Sequence, residues 1–87
     1  MKKIINGKLY NTETAERIGR WGNNLPGNDF NYCQKDLYRK KTGEFFLAVD
    51  FYGGERITPL TEAEAREWVE NHLDADKYIA IFGEVEE

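Results

Sequence analysis

Apolar and polar residues between Leu60 and Asp76 recur with the period of an α-helix. One predicted face carries Ala65, Trp68, Val69, His72 and Leu73, and the other carries Glu62, Arg66, Glu67, Glu70 and Asn71. Thr61 can cap the first turn, and Glu64 three residues later completes a capping box with it. The pattern therefore predicts a helix with one face toward a core and the other toward water or a basic partner.

Two other stretches show strand and turn signals. Asn6-Gly7 lies between two short apolar segments, which is typical of a tight β-hairpin. From Phe45 to Tyr52 the side chains alternate, and one predicted face, the expected core face, holds Phe45, Leu47, Val49 and Phe51. Turns at Lys41–Gly43 and Gly53-Gly54 flank this run, and a return strand over Glu55–Thr58, closed by Pro59, completes a three-stranded meander.

Two further segments are predicted to be short helices. In the first, Thr12–Trp21, apolar residues lie three apart and Gly22 follows the last of them. In the second, Lys77–Phe82, Asp76 is the expected cap, although the alternation of its isoleucines also suits a strand. The loop signals of residues 22–29 separate the first helix from the meander.

These elements predict an α+β fold in a small single domain spanning residues 1–87. It consists of an antiparallel β-sheet, made of an N-terminal hairpin and a three-stranded meander, packed against two or three short helices. Twelve aromatic residues supply the large buried areas that a chain of 87 residues needs. Cys33 is the only cysteine, so no internal disulfide forms, and no apolar run approaches the roughly 20 residues of a membrane span. We expect a cytoplasmic protein of a bacterial cell with no membrane contact.

Charge is distributed unevenly along the chain. Residues 1–59 contain ten Lys and Arg against seven Asp and Glu, whereas residues 60–87 contain two against nine. An acidic end repels nucleic acid and attracts basic protein surfaces, so direct contact with nucleic acid is not expected. The alternative is that the carboxylates serve only solubility.

Few residues suggest catalysis or metal binding. Cys33 and His72 are the only candidates for a nucleophile and its base, and a zinc site would need Asp74 or Asp76 as well. None of these residues lies in a pattern typical of such sites, so we expect a binding protein without enzymatic activity or cofactor. A basic segment around Tyr38 could contact nucleic acid, but a solubilising role is favoured for its cations, Lys35, Arg39, Lys40 and Lys41.

Several segments resemble a family of small proteins carried by phages and integrative elements of Gram-positive bacteria. The similar segments are KIINGKLYNTETA at 3–15, LYRKKTG and FFL between 37 and 47, PLTEAEAREW at 59–68, DAD at 74–76 and IFGE at 81–84. Some members of that family are anti-CRISPR proteins, and many have a longer insertion where this chain has only the short turn Asp50–Gly54.

The resemblance implies a stoichiometric inhibitor of a CRISPR effector, most simply a Cas9-type nuclease. Such effectors hold nucleic acid with Lys and Arg, for which protein carboxylates can compete. The implied contacts are Glu62, Glu67, Glu70, Asp74 and Asp76. Two alternatives stay open, a mobile-element accessory protein that binds another host or plasmid protein, and a small metalloprotein. The effector subtype, the step blocked and the oligomeric state are left undetermined.

Overall fold

Six β-strands and two α-helices follow one another in the computed structural model, which describes residues 1–83. The strands are β1 Lys2–Ile5, β2 Lys8–Asn11, β3 Glu16–Gly22, β4 Cys33–Arg39, β5 Phe45–Phe51 and β6 Gly54–Leu60. The helices are α1 Glu62–His72 and α2 Ala75–Phe82. The predicted α+β class is confirmed, with two helices and with a sixth strand, β3, added to the five expected. The N-terminal hairpin, predicted in the same sheet as the meander, forms a sheet of its own. The predicted acidic tail, Glu84, Glu86 and Glu87, lies outside the described residues.

The strands form two antiparallel sheets. β1 and β2 pair as a separate hairpin, while the main sheet has the order β3-β4-β5-β6. The helices cover one face of the main sheet, which we call the helix side, and the hairpin packs on the other, the hairpin side. The molecule therefore has three layers, with the main sheet in the middle.

The predicted turns at Asn6-Gly7 and Lys41–Gly43 are confirmed, and their backbone angles explain the residues that occupy them. Asn6 and Gly7 have φ angles of 53° and 77°, the two positive values that a type I′ turn requires. In the turn between β4 and β5, Gly43 has a φ of 93° and its amide donates to the carbonyl of Lys40 at 2.8 Å. The residues within each turn therefore determine how the two flanking strands are joined.

The helix predicted over Thr12–Trp21 is wrong, because most of this segment is strand β3. The register of β3 against β4 shifts between Arg17 and Gly19, which leaves Ile18 in a β-bulge. The extra residue brings Ile18 and Trp21 to the same face, the helix side, although they lie three apart. A three-residue spacing that resembles a helical period is thus the consequence of a bulge.

The alternation of β5 is confirmed for most of its length. Phe45, Leu47 and Val49 are buried on the helix side. Phe51 at the strand end is 39% exposed, so the prediction that it belongs to the core is wrong. The opposite face of β5 is buried at Phe46, which has 0% exposure beneath the hairpin, whereas Asp50 on the same face is exposed.

The last strand and the two helices differ from the prediction at their ends. β6 extends beyond Thr58 to Leu60, so Pro59 lies within an edge strand, where its missing N–H costs no ladder bond. The capping box of Thr61 and Glu64 is confirmed, and α1 ends at His72. The chain turns there, and Asp74, not Asp76, caps α2 by accepting from the amide of Lys77. Gly83 ends α2 as predicted.

Candidate functional site

The outer face of α1 exposes the carboxylates that were predicted to bind a partner. Glu62, Glu67 and Glu70 are all exposed. Glu62 lies 3.8 Å from Arg66, which is an ordinary pair one helical turn apart. Within residues 1–83, neither Glu67 nor Glu70 forms an ion pair.

Arg66 is drawn toward the second helix. Its Nη1 donates to the Tyr78 hydroxyl at 3.1 Å, and its Cζ lies 4.6 Å from the centre of the Phe82 ring. Arg66, the one Lys or Arg in α1, is therefore held against aromatic side chains of α2. The hydrogen bond with Tyr78 is the main cause that raises the pKa of Arg66, and the charge of Glu70 is among the smaller ones, although Glu70 forms no ion pair with it.

The two aspartates of the predicted site do not lie on α1. Asp74 caps α2, and its Oδ1 accepts from the Lys77 amide at 2.8 Å. Asp76 lies in the first turn of α2, and both side chains are exposed. Their negative charge is favourable at the N-terminus of a helix, where the backbone amides point outward. The five predicted carboxylates thus form one group on α1 and a second at the start of α2.

A shallow groove of about 250 Å³ runs along α1 beside this face. Its lining residues are Leu60, Glu64, Glu67, Trp68, Asn71 and His72, none of which is a Lys or Arg. We call it the α1 groove. Of its residues, the sequence-based prediction included only Glu67 in the binding site, because Glu64 and Trp68 were explained by the capping box and the core.

Glu64 is held firmly at one end of the α1 groove. Its Oε1 accepts from the Thr61 amide at 2.9 Å, while its own amide donates to the Thr61 hydroxyl at 3.1 Å. The hydrogen bond from the Thr61 backbone, followed by that of the Thr61 side chain, lowers the pKa of the Glu64 carboxyl. Glu64 therefore stays ionised at neutral pH.

Trp68 and His72 form the aromatic part of the groove. Their rings stack with centroids 4.8 Å apart and planes 27° apart, and His72 Nδ1 donates to the Trp68 carbonyl at 3.0 Å. His72 thus lies at the edge of the core beside Trp68, as predicted. Trp68 is 7% exposed, and its buried indole Nε1 has no hydrogen-bond partner within residues 1–83.

Cys33 lies at the start of β4, half-buried against the helix-side core. Among residues 1–83, no group of three or more His, Cys, Asp or Glu side chains is placed to hold a metal ion. The zinc site considered from Cys33, His72, Asp74 and Asp76 therefore has no support from the described geometry.

Part of the basic segment near Tyr38 has a structural role. Lys40 Nζ lies 4.3 Å from the centre of the Tyr10 ring and 3.5 Å from a Glu44 oxygen. Lys8 of the hairpin reaches the other Glu44 oxygen at 3.0 Å. These contacts join the N-terminal hairpin to the turn between β4 and β5.

No helix in the part of the chain that the structure describes has the length and apolar content needed to cross a bilayer. Comparisons of the sequence with protein-family models and with curated proteins, and of the fold with solved structures, found no match.

Proposed function

We propose that the protein is a stoichiometric inhibitor of a Cas9-type CRISPR effector in the bacterial cytoplasm, and that it acts by binding rather than by catalysis. The proposed acidic surface consists of Glu62, Glu67, Glu70, Asp74 and Asp76. The observation that carries the proposal is the exposure of Glu67 and Glu70 on α1, where Arg66, the one Lys or Arg of that helix, is held against Tyr78 and Phe82 of α2.

The chemistry of the partner follows from this charge. A Cas9-type effector holds its RNA–DNA heteroduplex in a positively charged channel and reads the PAM with arginines. Side chains one helical turn apart have Cβ atoms about 5–6 Å apart, so successive carboxylates can face a row of Lys and Arg. Binding in that channel would exclude the nucleic acid and block DNA loading or cleavage.

The layered fold supports the same proposal. The lysines of the N-terminal hairpin, Lys2, Lys3 and Lys8, belong to the layer on the other face of the main sheet. The helices, in contrast, contain six carboxylates and two Lys or Arg from Glu62 to Lys77, if Asp74 is counted with them. The acidic side is therefore not neutralised by the basic one, which favours attraction to a basic partner.

The direct test uses purified effector, guide RNA and target DNA. Adding the protein at an equal or greater concentration than the effector is expected to abolish cleavage or DNA loading. Absence of any effect across several Cas9 proteins and multi-subunit effectors would contradict the proposal. Recovery of an unrelated partner from a Gram-positive lysate by the wild type, with loss of that partner in the charge-reversed variant, would instead favour a mobile-element accessory protein.

Charge reversal tests the surface itself. The double substitution Glu67→Lys with Glu70→Lys is expected to weaken inhibition about tenfold or more, which corresponds to about 1.4 kcal/mol of binding free energy. The matched control is Glu13→Lys with Glu55→Lys, which makes the same change in net charge at exposed positions outside the helices. Equal losses in the two variants would show that net charge, not this surface, matters.

A further inference from the structure

We propose that a cleft between the N-terminal hairpin and the turn from β4 to β5 binds a small organic phosphate, a phosphate monoester whose carbon skeleton has about the size of a nucleoside. Among the described lining residues, none belongs to the acidic surface on the helices. The inference therefore goes beyond the proposed function and does not depend on it.

The cleft has the size of a small-ligand site. Its volume is about 370 Å³, and it lies where β2, the turn after β2 and the β4–β5 turn meet. A second depression of similar volume continues it and shares four of its residues, Thr14, Ala15, Lys40 and Lys41. Sites for small ligands commonly have volumes of about 300–1,000 Å³. We call the first depression, lined among others by Lys8, Leu9, Ala15, Lys40, Lys41 and Glu44, the lysine cleft.

The charge of the lysine cleft matches that of a phosphate monoester. Its described lining contains three lysines and one carboxylate, so the net charge of the lining is +2. A phosphate monoester carries about −1.5 to −2 charges at neutral pH, so binding would neutralise both partners. A ligand with a single carboxylate would leave an excess of positive charge in the cleft.

Glu44 holds two of the lysines in place and is itself fully engaged. Its Oε2 accepts from Lys8 Nζ at 3.0 Å, while its Oε1 lies 3.5 Å from Lys40 Nζ and accepts from the Thr42 hydroxyl at 3.1 Å. An ammonium has three N–H donors, so Lys8 keeps donors for a ligand after its bond to Glu44. Lys41 is exposed and, within residues 1–83, forms no ion pair. The cleft therefore presents two positioned cations and one free cation to an anion.

An apolar wall beside the lysines favours an organic phosphate over a bare ion. Leu9 is 48% exposed, and it lines the lysine cleft together with the half-buried Ala15. Covering exposed apolar surface is favourable in water. The sugar or base of a nucleotide can cover Leu9 while its phosphate contacts the lysines, whereas inorganic phosphate has no apolar part to do so.

The test is an NMR titration of the ¹⁵N-labelled full chain at low salt in a buffer without phosphate. The probes are adenosine 5′-monophosphate, adenosine, inorganic phosphate and a thymidine octamer without a terminal phosphate. We expect the monophosphate to produce saturable shifts of the Thr14, Lys41 and Gly43 amides and to bind at least tenfold more tightly than inorganic phosphate. Adenosine is expected to produce no shift, and the amide of Glu70 on α1 is the internal reference. Binding of the octamer as tightly as the monophosphate would assign the cleft to a nucleic-acid backbone and overturn the inference.

A charge substitution tests the role of the lysines. Lys41→Gln is expected to weaken binding of the monophosphate about tenfold, because it removes a charged hydrogen-bond donor. Lys77→Gln makes the same change in net charge at an exposed position on α2, across the main sheet, and is expected to leave binding unchanged. Equal losses in the two variants would show that only the net charge of the molecule matters, and the inference would fail.

An apolar substitution tests the wall. Leu9→Ala is expected to weaken binding of the monophosphate severalfold and to leave binding of inorganic phosphate unchanged. The control is Ile4→Ala, because Ile4 pairs with Leu9 in the hairpin and is 68% exposed, but lies outside the cleft lining. Equal affinities for the monophosphate and inorganic phosphate, or equal effects of the two substitutions, would overturn the inference. No effector enters these titrations, so their failure would leave the proposed inhibition of a CRISPR effector untouched.

Discussion

The two faces of the main sheet are covered in different ways. On the helix side, the buried core among the described residues consists of Ile18, Leu37, Phe45, Leu47, Val49, Ala65, Trp68 and Val69. On the hairpin side, it consists of Tyr10, Phe46 and Ile57. The hairpin shares no strand pairing with the main sheet, so side-chain contacts and the short turn between Asn11 and Glu16 hold it in place.

The covers also differ in charge and in the contacts that hold them. The helices expose mainly carboxylates and are fixed by caps and an apolar face. The hairpin exposes lysines and is fixed by a small aromatic cluster around Phe46 and by the bridge of Lys8 and Lys40 to Glu44. A central sheet can therefore keep opposite charges on the two opposite sides of a molecule of this size. It also indicates that the hairpin side depends on fewer residues than the helix side.

Truncation of Phe46, on the hairpin side, is expected to have the largest effect on the free energy of unfolding. Phe46 has 0% exposure, stacks on Tyr38 with centroids 5.2 Å apart and meets the edge of Tyr10 at 5.5 Å. Phe46→Ala is expected to lower the free energy of unfolding by about 3–5 kcal/mol, measured by urea denaturation. Phe30→Ala is the control, because Phe30 is 81% exposed, and it should stay within about 0.5 kcal/mol. Similar losses in both variants would contradict the buried role of Phe46.

A methyl group at Gly19 tests how closely the helices approach the sheet. A Cβ atom there would lie 2.6 Å from Leu73 Cδ1 and 3.3 Å from Trp68 Cζ3. Gly19→Ala is expected to destabilise by about 1–2 kcal/mol, because Leu73 can rotate but the buried Trp68 has little room. Gly27→Ala, where a Cβ meets nothing within 4 Å, should be close to neutral in the same denaturation experiment. If Gly19→Ala leaves the free energy of unfolding unchanged, the helices can move away from the sheet without loss of stability.

Removal of the Glu44 charge is the smallest expected effect. The hydrogen bond from Lys8 is the main cause that lowers the pKa of the Glu44 carboxyl, followed by that from Thr42. Because the folded pKa is depressed, the stabilisation is present above the pKa of the unfolded chain and is lost as pH falls through the folded value. Glu44→Gln should therefore destabilise slightly at neutral pH and low salt, and not at acid pH or in concentrated salt. Thermal unfolding of this variant beside Glu13→Gln measures the effect, and a loss that persists in concentrated salt would point to a cause other than charge.

Local signals in the sequence were sufficient for several parts of the fold. The positive φ angles at Asn6 and Gly7, the capping box of Thr61 and Glu64, and the alternation from Phe45 to Val49 all involve neighbouring residues. Such features are stabilised within one turn or one strand, so they can be recognised before the partners of the segment are known. The exposure of Glu67 and Glu70 was predictable for the same reason, since the apolar face of α1 determines which side faces water.

Only the tertiary structure decided the rest, because it depends on segments that are distant in sequence. Pairing with β4 makes Glu16–Gly22 a bulged strand, although its apolar residues have helical spacing. The hairpin buries Phe46 on the face of β5 that the alternation pattern did not assign to the core. The turn of Arg66 toward Tyr78 and Phe82 likewise follows from how α2 lies against α1. The sequence determined which residues are charged, where α1 begins, and where the turns at Asn6-Gly7 and Lys41–Gly43 lie. Long-range burial, whose free energy depends on area removed from water by distant partners, decided which of those residues form a surface.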